Sequence, residues 1–152
     1  MKEFVGLADV ITPNLTEACL LLDRKYPRGP ISENEITEIL YALSELGPQK
    51  IAVTSVMTDT NKMCTCVLDK TENKTAFLDC GYVSRPFHGT GDIFAAVLTG
   101  GLLQGKSIID ASALAVDFIK EAISETMKHP SIKIEHGAIF EPIMANFFSD
   151  RL

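Results

Sequence analysis

The chain has 152 residues, of which 46% are hydrophobic and 22% are charged, a balance typical of a soluble globular protein and not of a disordered one. No apolar stretch reaches the roughly 18 residues of a membrane-spanning helix, and the start of the chain lacks the basic and apolar blocks of a signal peptide. We therefore expect a cytoplasmic protein that does not bind a membrane. The net charge of −6 argues against a nucleic-acid-binding protein, which usually carries a basic patch.

The first elements of the chain are a predicted strand and a predicted helix. A short β-like run over residues 8–12 ends at Pro13, because proline removes a donor from the strand ladder. Asn14 is then placed to cap a helix, and Glu17 is placed as the reciprocal partner of a capping box.

A second helix is predicted from Ser32, which forms another capping-box pattern with Glu35, up to the break at Gly47-Pro48. Three strands are predicted next, the first β-branched, buried and parallel, and the other two forming an antiparallel hairpin. They span residues 50–56, 63–68 and 75–78.

The rest of the chain predicts helices. Residues 92–103 are apolar nearly all round, which indicates a buried helix. A long helix is predicted from Ser107 to about Met127, and a short one over residues 142–148. Because strands and helices alternate, we expect one α/β domain over residues 1–152, with a mostly parallel sheet flanked by helices.

A glycine turn, Gly89-Thr90-Gly91-Asp92, stands directly before the apolar helix. Glycines let the backbone approach a ligand closely, and the unpaired N–H groups of a first helical turn form a cradle for an anion. Asp92 could then take a proton from an attacking hydroxyl group as a general base. On these four residues alone, a structural role for Asp92 as the helix N-cap stays open.

A second phosphate-binding pattern lies further along. Residues 100–107 match the P-loop pattern G-x-x-x-x-G-K-[ST] letter for letter. A true P-loop follows a strand and opens a helix, whereas the first two glycines here continue an apolar helical run. We therefore interpret Gly105 as a helix end, with Lys106-Ser107 opening the next helix and Ser107 as its cap.

The four cysteines and three histidines show no metal-ligand spacing. Cys64 and Cys66 would share one face of a strand, but no second pair follows them. We expect reduced, structural thiols.

Two segments resemble the motifs of pyridoxal and hydroxymethylpyrimidine kinases, which belong to the ribokinase-like superfamily. They are Ala8-Asp9-Val10-Ile11-Thr12-Pro13-Asn14-Leu15-Thr16-Glu17-Ala18 and His88-Gly89-Thr90-Gly91-Asp92-Ile93-Phe94-Ala95-Ala96. Hydroxymethylpyrimidine phosphate kinases typically carry Cys at the fourth turn position, and pyridoxal kinases carry Asp. Asp92 thus points to the pyridoxal kinase branch, whose members phosphorylate pyridoxal, pyridoxine or pyridoxamine with ATP and Mg²⁺.

The resemblance implies roles in phosphate transfer for five residues. Asp92 would be the base that deprotonates the 5′-hydroxymethyl group of the vitamin. Gly89, Thr90 and Gly91 would form the anion hole for the γ-phosphate, and Thr12 would lie near the phosphates.

The resemblance also implies residues that bind magnesium and nucleotide. Asn14 and Glu17 match an Asn-x-x-Glu motif that holds magnesium, often through water, which suits the sparse carboxylate ligation of this ion. Thr54 and Ser55 would contact ATP at a strand end, and Val83 would lie at the adenine wall.

Family members are much longer and bind the vitamin mainly through an N-terminal half. No such half is visible in this sequence, so we expect an incomplete ribokinase-like fold, a C-terminal portion that alone transfers little phosphate. Dimers are usual in the family, which leaves a homodimer open. Two alternatives remain, a hydroxymethylpyrimidine kinase of the same fold and a non-catalytic nucleotide-binding module.

Overall fold

The computed structural model describes residues 2–81, 87–129 and 137–149. The chain divides into two compact units, Met1–Gly81 and Tyr82–Leu152. Among the described residues, no helix is long and apolar enough to cross a membrane.

The first unit contains a four-stranded sheet in the order β1-β2-β3-β4. Its strands are β1 (Val10–Ile11), β2 (Lys50–Met57), β3 (Met63–Asp69) and β4 (Lys74–Asp79). Its helices are α1 (Lys2–Val5), α2 (Leu15–Leu21) and α3 (Glu33–Ser44). The predicted α/β class, with helices flanking a sheet, is confirmed.

The strand directions require one correction, because the sheet is mixed and not mostly parallel. Among the strands of the described residues, β1 and β2 pair in parallel, whereas β2–β3 and β3–β4 are antiparallel. The cause is the length of the connections: α2 and α3 lie between β1 and β2, whereas short turns join β2 to β3 and β3 to β4. A short turn returns the chain antiparallel, and a parallel pair needs a long crossover.

The core of the first unit combines β2 with one face of α3. Ile36, Leu40 and Leu43, three or four residues apart on the helix, are fully buried together with Ile51 and Val53 of the strand. Ser32 caps α3 as predicted, since its Oγ accepts a hydrogen bond from the Glu35 N–H at 3.3 Å while Glu35 Oε2 accepts one from the Ser32 N–H at 3.0 Å.

The second unit is helical in its described residues, with α4 (Thr90–Leu103), α5 (Ile108–Met127) and α6 (Glu141–Ser149). α4 and α5 approach closely, because a Cβ atom built on Gly101 would lie 2.9 Å from the Cβ of Ala111. α6 packs through an aromatic cluster in which the ring centroids of Phe118 and Phe147, and of Phe118 and Phe148, are both 5.0 Å apart.

The second half of α4 decides between the two phosphate-binding patterns. Gly100 and Gly101 lie inside the helix, Gly105 follows its end at φ +83°, and Ser107 caps α5. The P-loop interpretation is therefore excluded by context, as the sequence indicated. The prediction that α4 is buried all round is wrong: Phe94 and Leu98 are buried, but Leu103 is 84% exposed.

Candidate active site

The first set of candidate residues lies where the parallel strands β1 and β2 end. The Thr54 N–H donates to the Pro13 carbonyl at 2.9 Å, and Asn14 and Thr54 form an isolated parallel bridge beyond the strands. The segments Thr12–Asn14 and Thr54–Ser55 are thus neighbours at one sheet edge. The carboxyl ends of parallel strands are a common place for ligand sites.

Ser55 has an unusual backbone at this edge. Its φ is +59°, a region that residues other than glycine seldom adopt, and the pairing of β2 with β3 shifts by one residue between Val53 and Val56. Such a β-bulge redirects the side chains next to it. Ser55 is exposed as a result, between buried valines.

Asn14 and Glu17 form the predicted capping box at the start of α2. Asn14 Oδ1 accepts a hydrogen bond from the Glu17 N–H, and Glu17 Oε2 accepts one from the Asn14 N–H, both at 2.9 Å. These bonds engage one carboxylate oxygen of Glu17, a residue that is exposed and accessible to water or a cation. One carboxylate plus waters fits Mg²⁺, which keeps several waters when protein-bound.

The described residues hold no cluster of three or more His, Cys, Asp or Glu side chains able to bind a metal ion. In β3, burial raises the pKa of the Cys66 thiol well above its usual range, and it also raises the pKa of Cys64. A raised pKa keeps a thiol protonated, and the thiolate is the form that binds zinc. This environment favours structural roles for both residues.

The second set of candidate residues is the glycine turn that opens α4. Gly89 is the N-cap, with φ +82°, and the Ile93 N–H makes the first intrahelical bond to the Gly89 carbonyl at 3.0 Å. The N–H groups of Thr90, Gly91 and Asp92 precede this bond, so they have no intrahelical acceptor. A Cβ built on Gly89 or Gly91 would meet nothing within 4 Å, which leaves open space beside the turn.

Asp92 is the third residue of α4, so the alternative that it is the N-cap is wrong. Gly89 takes that position because a left-handed residue must begin the helix here, and glycine adopts this conformation without strain. Thr90 supports the turn, with its Oγ1 donating to the Phe87 carbonyl at 3.1 Å. The Asp92 side chain is exposed and faces a cavity.

This cavity has a volume of about 600 Å³ and lies within the second unit. Ligand sites typically fall between about 300 and 1,000 Å³. One wall is a face of α4, and the opposite side comes from α5, α6 and residues 137–140. The lining residues are His88, Gly89, Asp92, Ile93, Ala96, Val97, Gly100, Gly101, Phe118, Gly137, Ala138, Phe140, Met144 and Phe148.

Sequence reasoning placed Gly89 and Asp92 at a site but missed the rest of this cavity. One signal was available: Asp92, Ala96 and Gly100 follow one another at helical spacing and are small or polar on an apolar helix. The sequence did not indicate that Phe118 and Phe148 line a cavity, because aromatic residues in apolar helices are usually core residues. Val83, expected at the adenine wall, lies outside the described residues.

Known proteins resemble the chain in both sequence and structure. The Phosphomethylpyrimidine kinase family profile matches residues 1–139. A Haemophilus influenzae hydroxymethylpyrimidine/phosphomethylpyrimidine kinase is 28% identical over 83% of this chain and 46% of its own length. The chain thus spans about half the length of the curated relatives it matches.

Two solved structures extend the comparison. A Bacteroides thetaiotaomicron protein assigned as a phosphomethylpyrimidine kinase, crystallised with pyridoxal, matches 97% of this chain and 51% of its own with a TM-score of 0.88 and 34% identity. The Staphylococcus aureus pyridoxal kinase in complex with AMP-PCP and pyridoxal matches 80% of this chain and 44% of its own with a TM-score of 0.66 and 28% identity. These matches confirm the resemblance to pyridoxal kinases of the ribokinase-like superfamily, and the chain belongs to the phosphomethylpyrimidine kinase family.

Proposed function

We propose that this chain supplies the ATP-binding and catalytic-base part of a kinase that phosphorylates the 5′-hydroxymethyl group of pyridoxal, pyridoxine or pyridoxamine. One observation carries the proposal: Asp92 lies exposed beside the first-turn N–H groups of α4, at the rim of a cavity of ligand size. A proton acceptor and an anion cradle at one place are the two parts that transfer of a phosphoryl group to an alcohol requires.

In this proposal the glycine turn binds the γ-phosphate. The N–H groups of Thr90, Gly91 and Asp92 donate to its oxygens, and the positive end of the α4 dipole favours its charge. The Asp92 carboxylate accepts the proton of the vitamin hydroxyl as that oxygen attacks phosphorus. Gly89 provides the left-handed turn that keeps the cradle open.

The cavity suits the remainder of the nucleotide. Its α4 wall runs from Gly89 to Gly101, and a helix rises about 1.5 Å per residue, so the wall extends over roughly 18 Å. An ATP molecule with its phosphates at the turn would extend along this wall. Phe118 and Phe148 give the far side an apolar aromatic surface against which a planar base can pack.

We further propose that the sheet edge of the first unit, at residues 12–14 and 54–55, contributes to binding of the metal and the phosphates. Glu17 would bind Mg²⁺ through water, with Asn14 holding the helix end, and Thr12 would lie near the phosphates. Thr54 and Ser55 would contact ATP. The capping box supports this assignment because it holds the Glu17 carboxylate at the start of α2, beside the sheet edge where Asn14 bridges Thr54.

A kinase acting on hydroxymethylpyrimidine is the second candidate, because the relatives include enzymes named for that substrate. Asp92 favours the pyridoxal branch, and pyridoxal in the Bacteroides thetaiotaomicron structure agrees with it. Both acceptors are hydroxymethyl-substituted heteroaromatic rings, so the chemistry at Asp92 would be the same.

The test is an acceptor screen with the natural gene product. Pyridoxal, pyridoxine, pyridoxamine and hydroxymethylpyrimidine are each supplied with ATP and Mg²⁺, and kcat/KM for phosphate transfer is measured. The proposal expects at least one B6 vitamer to exceed hydroxymethylpyrimidine by about tenfold or more, a difference of about 1.4 kcal/mol in transition-state binding. The reverse order would favour the second candidate, and ATP binding without transfer to any acceptor would favour a non-catalytic module.

A further inference from the structure

Residues 137–140 form part of the cavity wall without belonging to a helix or strand. Gly137, Ala138 and Phe140 all line the cavity. An irregular segment keeps a fixed position only if specific contacts hold it. Phe140 packs against the aromatic cluster of Phe118 and Phe147, and two further contacts lead to the end of α5 and to the backbone beside the glycine turn.

The contact to α5 is made by the side chain of Thr126, one residue before the helix ends. Thr126 is 4% exposed, and its Oγ1 donates to the Ala122 carbonyl at 2.7 Å. The same oxygen accepts a hydrogen bond from the Ile139 N–H, also at 2.7 Å. This hydroxyl thus joins the end of α5 to the cavity wall, across thirteen positions in the sequence.

The second contact joins the wall to the phosphate turn. Gly137 has φ +87°, and a Cβ built on it would lie 3.1 Å from the carbonyl oxygen of His88, the residue just before Gly89. Because this oxygen belongs to the backbone, it cannot rotate away from a Cβ atom at position 137 as a side-chain atom could. The wall therefore lies directly against the backbone that leads into the turn.

We propose that Thr126 is a positioning residue for nucleotide binding, which acts by holding residues 137–140 against the cavity. This rests on the proposed function, since it assigns the cavity to ATP. Thr126 does not itself line the cavity. Its effect is on the shape of the site, so it should change affinity for the nucleotide and not the proton transfer at Asp92.

The main variant is Thr126→Val, which keeps the branched shape but removes the hydroxyl. It leaves the Ile139 N–H without its acceptor, so the wall must move to find another. In the natural gene product we expect Kd for a non-hydrolysable ATP analogue, and KM for ATP, to rise about tenfold, which corresponds to about 1.4 kcal/mol. Thr126→Ser retains the hydroxyl, so it should stay within about twofold of the wild type.

The matched control is Thr37→Val on α3. Thr37 Oγ1 donates to the Glu33 carbonyl at 2.7 Å, the same i to i−4 bond, but within the described residues it joins no second segment. We expect no change in nucleotide affinity there. Gly137→Ala should raise Kd for the analogue as Thr126→Val does, because it disturbs the same wall from its other contact.

Two readouts separate positioning from a loss of folding. First, kcat at saturating ATP should stay within about twofold in Thr126→Val, whereas a smaller folded fraction would lower kcat itself. Second, hydrogen exchange at the Ile139 amide should accelerate in Thr126→Val and not in Thr126→Ser. Unchanged affinity in Thr126→Val, or equal losses in the Val and Ser variants, would overturn the inference.

Failure of the proposed function has a different signature. If the wild-type protein does not bind the ATP analogue, the assignment of the cavity to ATP falls, and this inference falls with it. If the wild type binds the analogue and Thr126→Val binds it equally well, the inference alone is wrong.

Discussion

At the scale of single residues, the proposed chemistry depends most directly on Asp92. Its side chain is exposed, and within the described part of the chain its carboxylate accepts no hydrogen bond. A side chain without structural partners can be replaced at little cost to the fold. Asp92 can therefore be tested for catalysis separately from stability.

In the natural gene product, Asp92→Asn should lower kcat by about 10²–10⁴ because the general base is lost. Affinity for a non-hydrolysable ATP analogue should change by less than about threefold, because the first-turn N–H groups remain. Steady-state kinetics and calorimetry measure the two quantities. Asp117→Asn, an exposed change on α5, is the control. A kcat near the wild-type value would remove Asp92 from the mechanism.

Lys106 belongs to the segment that matches the P-loop pattern, but we expect that its loss hardly affects ATP binding. Its stem lies near Gly101, between two helices, and not above a phosphate cradle. Lys106→Ala should therefore leave ATP-analogue affinity within about twofold and cost about 1 kcal/mol or less of unfolding free energy. Abolished ATP binding in this variant would contradict the expectation that Lys106 lies outside the nucleotide site.

At the scale of the elements, the chain provides a matched pair of helix starts. α2 begins with the Asn14–Glu17 capping box and α3 with the Ser32–Glu35 box, both complete. The two boxes do the same structural work, but only the first lies at the edge assigned to the metal and phosphates. Their comparison separates capping from catalysis.

Asn14→Ala and Ser32→Ala should each lower the unfolding free energy by about 1 kcal/mol, measured by urea denaturation. Only Asn14→Ala should also lower kcat/KM or raise the Mg²⁺ concentration needed for half-maximal rate. If the two variants have equal activity when compared at the same folded fraction, Asn14 has only a capping role.

These elements also show what the sequence predicts well. The starts of α2, α3 and α5 were predicted at Asn14, Ser32 and Ser107 because a cap is a local signal, read from residues three apart. The exposed face of α4 was not predicted, since the helix is apolar on nearly all sides and its neighbours decide which side is covered. The cavity was missed for the same reason: Phe118 and Phe148 meet α4 only through tertiary packing.

At the scale of the whole molecule, the chain spans about half the length of its relatives. The relative directions of the strands were also mispredicted. Whether two neighbouring strands are parallel depends on whether the connection between them is long enough to cross over. The Asp92 turn and the Asn14–Glu17 box fall in different compact units.

The 152 residues expressed alone should transfer little or no phosphate to pyridoxal, with a rate at least about 10²-fold below that of a full-length relative. Productive transfer requires all reacting groups to be held together, and half of the related fold is outside the matched length. Coupled assays at saturating ATP, Mg²⁺ and vitamin measure this rate. A turnover comparable to the full-length relative would show that these residues suffice.

The bulge at Ser55 has a consequence for how this chain can tolerate the loss of a residue. The four positions of β2 from Val53 to Val56 face three positions of β3, from Cys66 to Cys64. Deleting Ser55 would let the two strands pair without interruption and keep both valines buried. Deleting a residue from the regular part of β2 would instead turn every later side chain to the opposite face. The fold should therefore tolerate a one-residue deletion at the bulge, next to the bridge between Thr54 and Asn14.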